Sequence, residues 1–218
     1  MAKNRSEGHF RLSNLFSYNA PVVLTFSVIS LVVLLLNERL PVDLNRMLCS
    51  VYRTSFRDPL MYVRVFTHVL GHADMAHFSQ NICLLLVIGP IVEEKYGSRN
   101  LLLAMVITAF VTGVLHMVLF PGTVLLGASG IVFMAILMAS ITNFRDRKIP
   151  LTLILVAAIY IGQEIFSGVT AHDNISQFGH IVGGVMGIIF VRTTKENLLY
   201  REKNDVKMKS WLCKWPVK

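Results

Sequence analysis

Charge is scarce in this chain. Asp, Glu, Lys and Arg make up 16% of its 218 residues, against about 25% in an ordinary soluble domain. Between Arg99 and Arg145 there is no charged side chain at all. That composition excludes a conventional soluble core. Cysteine is equally sparse. Cys49, Cys83 and Cys213 are an odd number, spread over a loop, an apolar segment and a tail. They supply neither a disulfide framework nor a cysteine zinc pattern. No internal repeat or low-complexity tract stands out. What the chain has in quantity is apolar residues, 54% of the total, with a mean hydropathy of +0.57. It reads as an all-α polytopic membrane protein.

Six candidate spans emerge, over 20–37, 76–92, 101–120, 123–143, 149–168 and 175–191. Each is about 17 to 21 residues, enough to cross ~30 Å of hydrocarbon as helix. The third and fourth share one apolar run and are divided only by the turn Phe120-Pro121-Gly122-Thr123. The first has a basic leader (Lys3, Arg5, Arg11) but no small-residue cleavage site after Leu36, so it reads as a retained helix. The net charge of +8 does not point to nucleic acid, because the basic residues gather at the ends of apolar segments. With a cytoplasmic N-terminus, Arg39, Arg46, Arg53, Arg57 and Arg64 lie outside, all in one long loop, and the other sixteen of the 21 Lys and Arg lie inside. Both termini are therefore expected in the cytoplasm. The chain divides into a segment 1–14, a helical domain 15–193 and a basic tail 194–218.

Polar side chains collect at one depth. Ser129 falls about six residues into the fourth span, or ~9 Å, and His180 and Asn81 each fall about five residues into theirs. His77 lies one turn above Asn81 on the same face. A lone serine in such a helix usually bonds a carbonyl one turn back, and a lone asparagine usually ties helices together. Four polar groups at one level line a cavity or a site more often than not. Gly179, Gly183 and Gly187 form a small-residue stripe that lets helices approach closely. Gly127, Ala128 and Gly130 remove bulk around Ser129. Close contact of the fourth and sixth spans would bring Ser129 within reach of His180, and a serine with a histidine base is the minimum for acyl chemistry. His77, Asn81 and the Ser129 amide are placed to stabilise an oxyanion.

These residues closely resemble the rhomboid family of intramembrane serine proteases, in its bacterial six-helix form. The G-x-S-G motif stands as Gly127-Ala128-Ser129-Gly130. The sixth-helix pattern stands as His180, Gly183 and Gly187, the second-helix pattern as His72, His77 and Asn81, and the loop arginine as Arg64. The resemblance covers residues 15 to 193. It implies a six-helix bundle with a Ser129–His180 catalytic dyad and no acidic third member. His77, Asn81 and Gly127 would stabilise oxyanion and substrate, and Gly183 and Gly187 would serve helix packing. The implied partners are transmembrane protein substrates, cut near the outer face, and membrane lipid. No metal, cofactor or nucleic acid is implied. The implied location is a bacterial inner membrane, and no oligomeric state follows. Two positions depart from the pattern: Val63 replaces a tryptophan and Phe133 a tyrosine. Phe133 is expected to keep a stacking platform for His180 without the hydroxyl.

Other polar residues carry weaker expectations. His68 and His72 have an H-x-x-x-H spacing, but Val69 and Leu70 follow His68 where a zinc protease would place its glutamate base. Backbone bonding in the first loop is the expected role of both. Glu164 is expected to snorkel to the interface, the alternative being a place in the cavity beside the dyad, and His172 and Asp173 to be solvated, the alternative being a cap over the site. Lys207, Lys209, Trp211, Lys214 and Trp215 are read as a solvated topology signal or an inner-leaflet contact. The competing functions are a non-catalytic rhomboid-like protein that binds client helices and, more remotely, a histidine-based metal or proton transporter.

Overall fold

A computed structural model describes residues 19–142 and 178–194, together with 151, 154, 155, 158, 159 and 162. The described secondary structure is helical apart from one isolated antiparallel bridge, Val51 to Leu125. The helices are α1 (Pro21–Arg39), α2 (Leu44–Leu48), α3 (Pro59–Thr67), α4 (Met75–Tyr96), α5 (Ser98–Leu119) and α6 (Ser129–Thr142), then α7 (Phe178–Thr194). Among the described residues, α1, α4 and α5 are long and apolar enough to cross a membrane, and α6 and α7 are shorter apolar helices. The fifth expected span, 149–168, lies largely outside the described residues. So do Glu164, His172, Asp173, Cys213 and the tail.

The α1 helix begins with Pro21 at its first position, where a missing N–H costs nothing. The next two N–H groups do not go to water. Val22 donates to Glu93 Oε1 at 2.9 Å and Val23 to Oε2 at 3.0 Å. Glu93 is buried on α4. Its carboxylate therefore closes the N-terminus of one spanning helix from the flank of another, where both the open donors and the helix dipole favour negative charge. Val23 packs nearby: a Cβ on Gly89 would lie 2.6 Å from a Val23 methyl. A continuous apolar core joins α1, α4, α5, α6 and α7, from Val23 through Leu85 and Leu101 to Met134 and Val191.

The first loop is more structured than its composition suggests. Asp58 caps α3 by accepting from Leu60 N–H at 3.0 Å, with Pro59 at the first helical position. A 3₁₀ turn over His68–Leu70 follows. Asp74 then caps α4 through His77 N–H at 2.8 Å. His68 and His72 consequently sit outside α4, one in the 3₁₀ turn and one in the connection. His68 and His72 therefore do not share one α-helix.

The expected fourth span requires correction. A helix over 123–143 would bury Ser129 six residues inside, but α6 starts at Ser129 itself. Three features keep the preceding residues out of the helix. Pro121-Gly122 turn the chain. Leu125 is paired with Val51 by two backbone hydrogen bonds of 2.8 and 2.9 Å. Gly127 adopts φ +122°, a conformation outside any right-handed helix and open chiefly to glycine.

Candidate active site

Ser129 is half-buried at the first position of α6, between the buried residues Ala128 and Gly130. An amide at a helix start lacks an intrahelical acceptor and lies at the positive end of the helix dipole. The loop leading to it is held from the other side, because Gly127 N–H donates to the His68 carbonyl at 3.0 Å.

Gly127 lies against His77. A Cβ there would come within 2.8 Å of both Nε2 and Cε1 of the ring. His77 Nδ1 accepts from Ala73 N–H at 3.4 Å, which leaves the proton of a neutral ring on Nε2. The Nε2–H donor therefore faces the loop two residues before Ser129. Asn81 stands one turn along α4 and is fully buried. Its Nδ2 donates to the His77 carbonyl at 2.9 Å.

The approach of α7 to α6 follows from its glycines. A Cβ on Gly183 would overlap the carbonyl oxygen of Gly130, and one on Gly187 would lie 2.6 Å from that of Met134. The two backbones touch without intervening side chains. This contact carries the buried His180 onto α6, where its ring stacks on Phe133 with centroids 4.3 Å apart and planes 11° from parallel. The stacking expected of Phe133 is thus present. Phe133 lies four residues after Ser129, on the same helical face. Beside Ser129 is a space of about 10 Å³ bounded by His68, Thr108, Thr112, Gly127 and Gly179, the size of one water molecule.

His68 and His72 behave as expected of loop residues. His68 Nδ1 bonds the Val65 carbonyl at 3.0 Å and His72 Nδ1 that of Leu70 at 3.2 Å. Burial pushes both imidazoles down to about 4, so both are neutral at pH 7. Among the described residues no three His, Cys, Asp or Glu side chains are grouped to hold a metal ion. Burial also lifts the Cys49 thiol to about 11, which makes it a poor nucleophile.

Arg64 was legible only as a motif position; its surroundings were not. It is 3% exposed and paired with Asp58. It also donates to Thr54 Oγ1 at 3.3 Å and the Met47 carbonyl at 3.4 Å, and lies 4.5 Å over the Tyr52 ring. Its hydrogen bond holds the half-buried Asp58 carboxyl below the usual range. Arg64 thus gathers the first loop, and Val63 takes no such part, with 43% of its surface exposed. The Asp58-Pro59 pair was the local signal for α3 that the sequence reading passed over.

Comparison with known proteins shows the family. Residues 59–197, more than half of the chain, match the family model of the Rhomboid domain. The chain is also 32% identical over 132 residues to the rhomboid protease GluP of Bacillus subtilis (strain 168), an alignment covering 58% of this chain and 25% of that protein. The chain thus spans about a quarter of the length of that curated relative.

Proposed function

The chain belongs to the rhomboid family, and from that premise we propose that it is an intramembrane serine endopeptidase using Ser129 as nucleophile and His180 as base. The observation that carries the proposal is the stack of His180 on Phe133, one helical turn from Ser129 on the same face. It supports His180 as the base for Ser129, in a bundle where α6 and α7 meet backbone to backbone.

His180 takes the Ser129 proton as Oγ attacks the scissile carbonyl of a transmembrane substrate. Negative charge gathers on the carbonyl oxygen. The Ser129 N–H and the side chains of His77 and Asn81 are the donors for it, and Gly127 leaves the room that substrate and oxyanion need. The protonated His180 passes its proton to the leaving amine, and the new N-terminus departs. Water then gives a proton to His180 and attacks the acyl-enzyme, releasing the carboxyl product and restoring Ser129. Residues of these types are sufficient without metal or cofactor.

The integral membrane setting rests on α1, α4 and α5. The finer topology belongs to the same proposal. It comprises six spans within residues 15–193, a cytoplasmic segment 1–14 and a basic cytoplasmic tail 194–218. The membrane is a bacterial inner membrane, and cleavage takes place near its outer face. The distribution of Lys and Arg supports that orientation.

A fluorophosphonate probe tests the chemistry. Wild type is expected to label covalently, and Ser129→Ala and His180→Ala are not. His77→Ala should lower cleavage of a transmembrane substrate by about 10² to 10³. A folded wild type that fails to label would transfer the assignment to a non-catalytic protein that binds client helices.

A further inference from the structure

A second cavity lies away from Ser129. It occupies about 340 Å³ between α3 of the first loop and the last turns of α5. Its walls are Val65 and Phe66 from α3, and Phe110 and Val118 from α5. Phe66 and Phe110 stack at 5.5 Å and close one side. Such a volume lies within the range of small-ligand sites.

The setting identifies the occupant. Phe110 and Val118 are 46% and 65% exposed on a helix long and apolar enough to span the membrane. The groove is therefore continuous with a surface that meets acyl chains. Its other wall, α3, belongs to the connection between spanning helices, which puts the groove at the membrane boundary, where headgroups lie. Arg53 also lines it. This arginine is exposed and makes no ion pair among the described residues. The Asp58 carboxylate of the same loop is already engaged by Arg64. The groove is apolar within and positive at one edge.

We propose that this groove binds one anionic phospholipid, with an acyl chain between α3 and α5 and its phosphate on Arg53. The site is independent of the Ser129 chemistry and is read without it. It also has a structural route to that region. Val65 lines the groove and gives its carbonyl to His68 Nδ1, and the His68 carbonyl in turn receives the Gly127 N–H. Occupancy would brace the turn that holds the loop before Ser129.

Native mass spectrometry of the full chain tests the proposal directly. The protein in detergent is mixed with dioleoylphosphatidylglycerol or dioleoylphosphatidylcholine at equal concentration, and retained lipid is counted. Wild type should retain the anionic lipid about fivefold better, the effect of one arginine near a phosphate. Arg53→Gln should bring retention of the anionic lipid down to that of the neutral one. Val114→Trp, which fills the groove, should reduce retention of both. An undiminished preference in Arg53→Gln would overturn the proposal, as would undiminished adducts in a folded Val114→Trp. Arg53 is exposed, so its variant carries the test even if the tryptophan is not accommodated.

Discussion

The His180 ring lies flat on Phe133, 4.3 Å between centroids and 11° from parallel. The contact orients an imidazole from α7 by a ring from α6. It holds the histidine by ring stacking and not by a hydrogen bond.

Removing that platform should slow Ser129 without removing it. A stacked ring pair is worth about 0.5–1.5 kcal/mol beyond burial, or up to about tenfold in rate. Phe133→Ala is expected to lower the rate of fluorophosphonate labelling on that scale, and Phe133→Tyr to keep it. Equal rates in wild type and Phe133→Ala would remove the ring from the account of the site.

Neighbouring glycines on α7 should differ sharply. A Cβ on Gly183 collides with the Gly130 carbonyl, whereas one on Gly184 meets Leu137 side-chain carbons at an ordinary 3.8 Å. Gly183→Ala is expected to part the helices and abolish labelling. Gly184→Ala should behave as wild type in labelling and thermal unfolding. Tolerance of alanine at 183 would contradict the observed helix approach.

The Glu93 carboxylate should matter to stability rather than to chemistry. Gln at this position presents an amide N–H₂ to one of the two α1 donors it now accepts. The loss of a hydrogen bond to a charged group is expected to cost about 1.5–3 kcal/mol. Unfolding in mixed detergent would measure it, with Glu93→Asp, which keeps the charge but is shorter, falling between. A Glu93→Gln protein as stable as wild type would mean that the Val22 and Val23 amides have other acceptors.

Acid should destabilise the first loop. His68 and His72 lie at about 4, below the ordinary 6.5. Between those values the unfolded chain takes up protons that the folded chain refuses, so stability rises with pH across this window. The contribution is complete above about 6.5 and is lost as pH falls toward 4. Unfolding midpoints measured from pH 8 to pH 4 should be level and then decline, with a shallower decline in His72→Gln. A flat profile down to pH 4 would show that these imidazoles are not buried neutral.

Much of this protein is set by local pattern. Scarce charge and long apolar runs identify a helical membrane protein before any fold is known. Spacing alone places His77 and Asn81 on one face of α4, and it puts Gly183 and Gly187 on the stripe that meets α6. Phe120-Pro121-Gly122 marks the end of α5, because proline and glycine act within a few residues of themselves.

Other features depend on segments far apart in the chain, and no periodicity carries them. Hydropathy runs smoothly through residues 123–143, yet the helix begins at Ser129, because Leu125 pairs with Val51 and Gly127 turns against His77. That start gives the Ser129 amide its open donor. Glu93 reads locally as one more charge at a helix end, and only the docking of α1 on α4 makes it the acceptor for Val22 and Val23. Arg64 reads as a loop cation until Asp58, Thr54 and Tyr52 surround it. In each case a polar group leaves water only when a distant partner satisfies it, and that partnership exists in the tertiary structure alone.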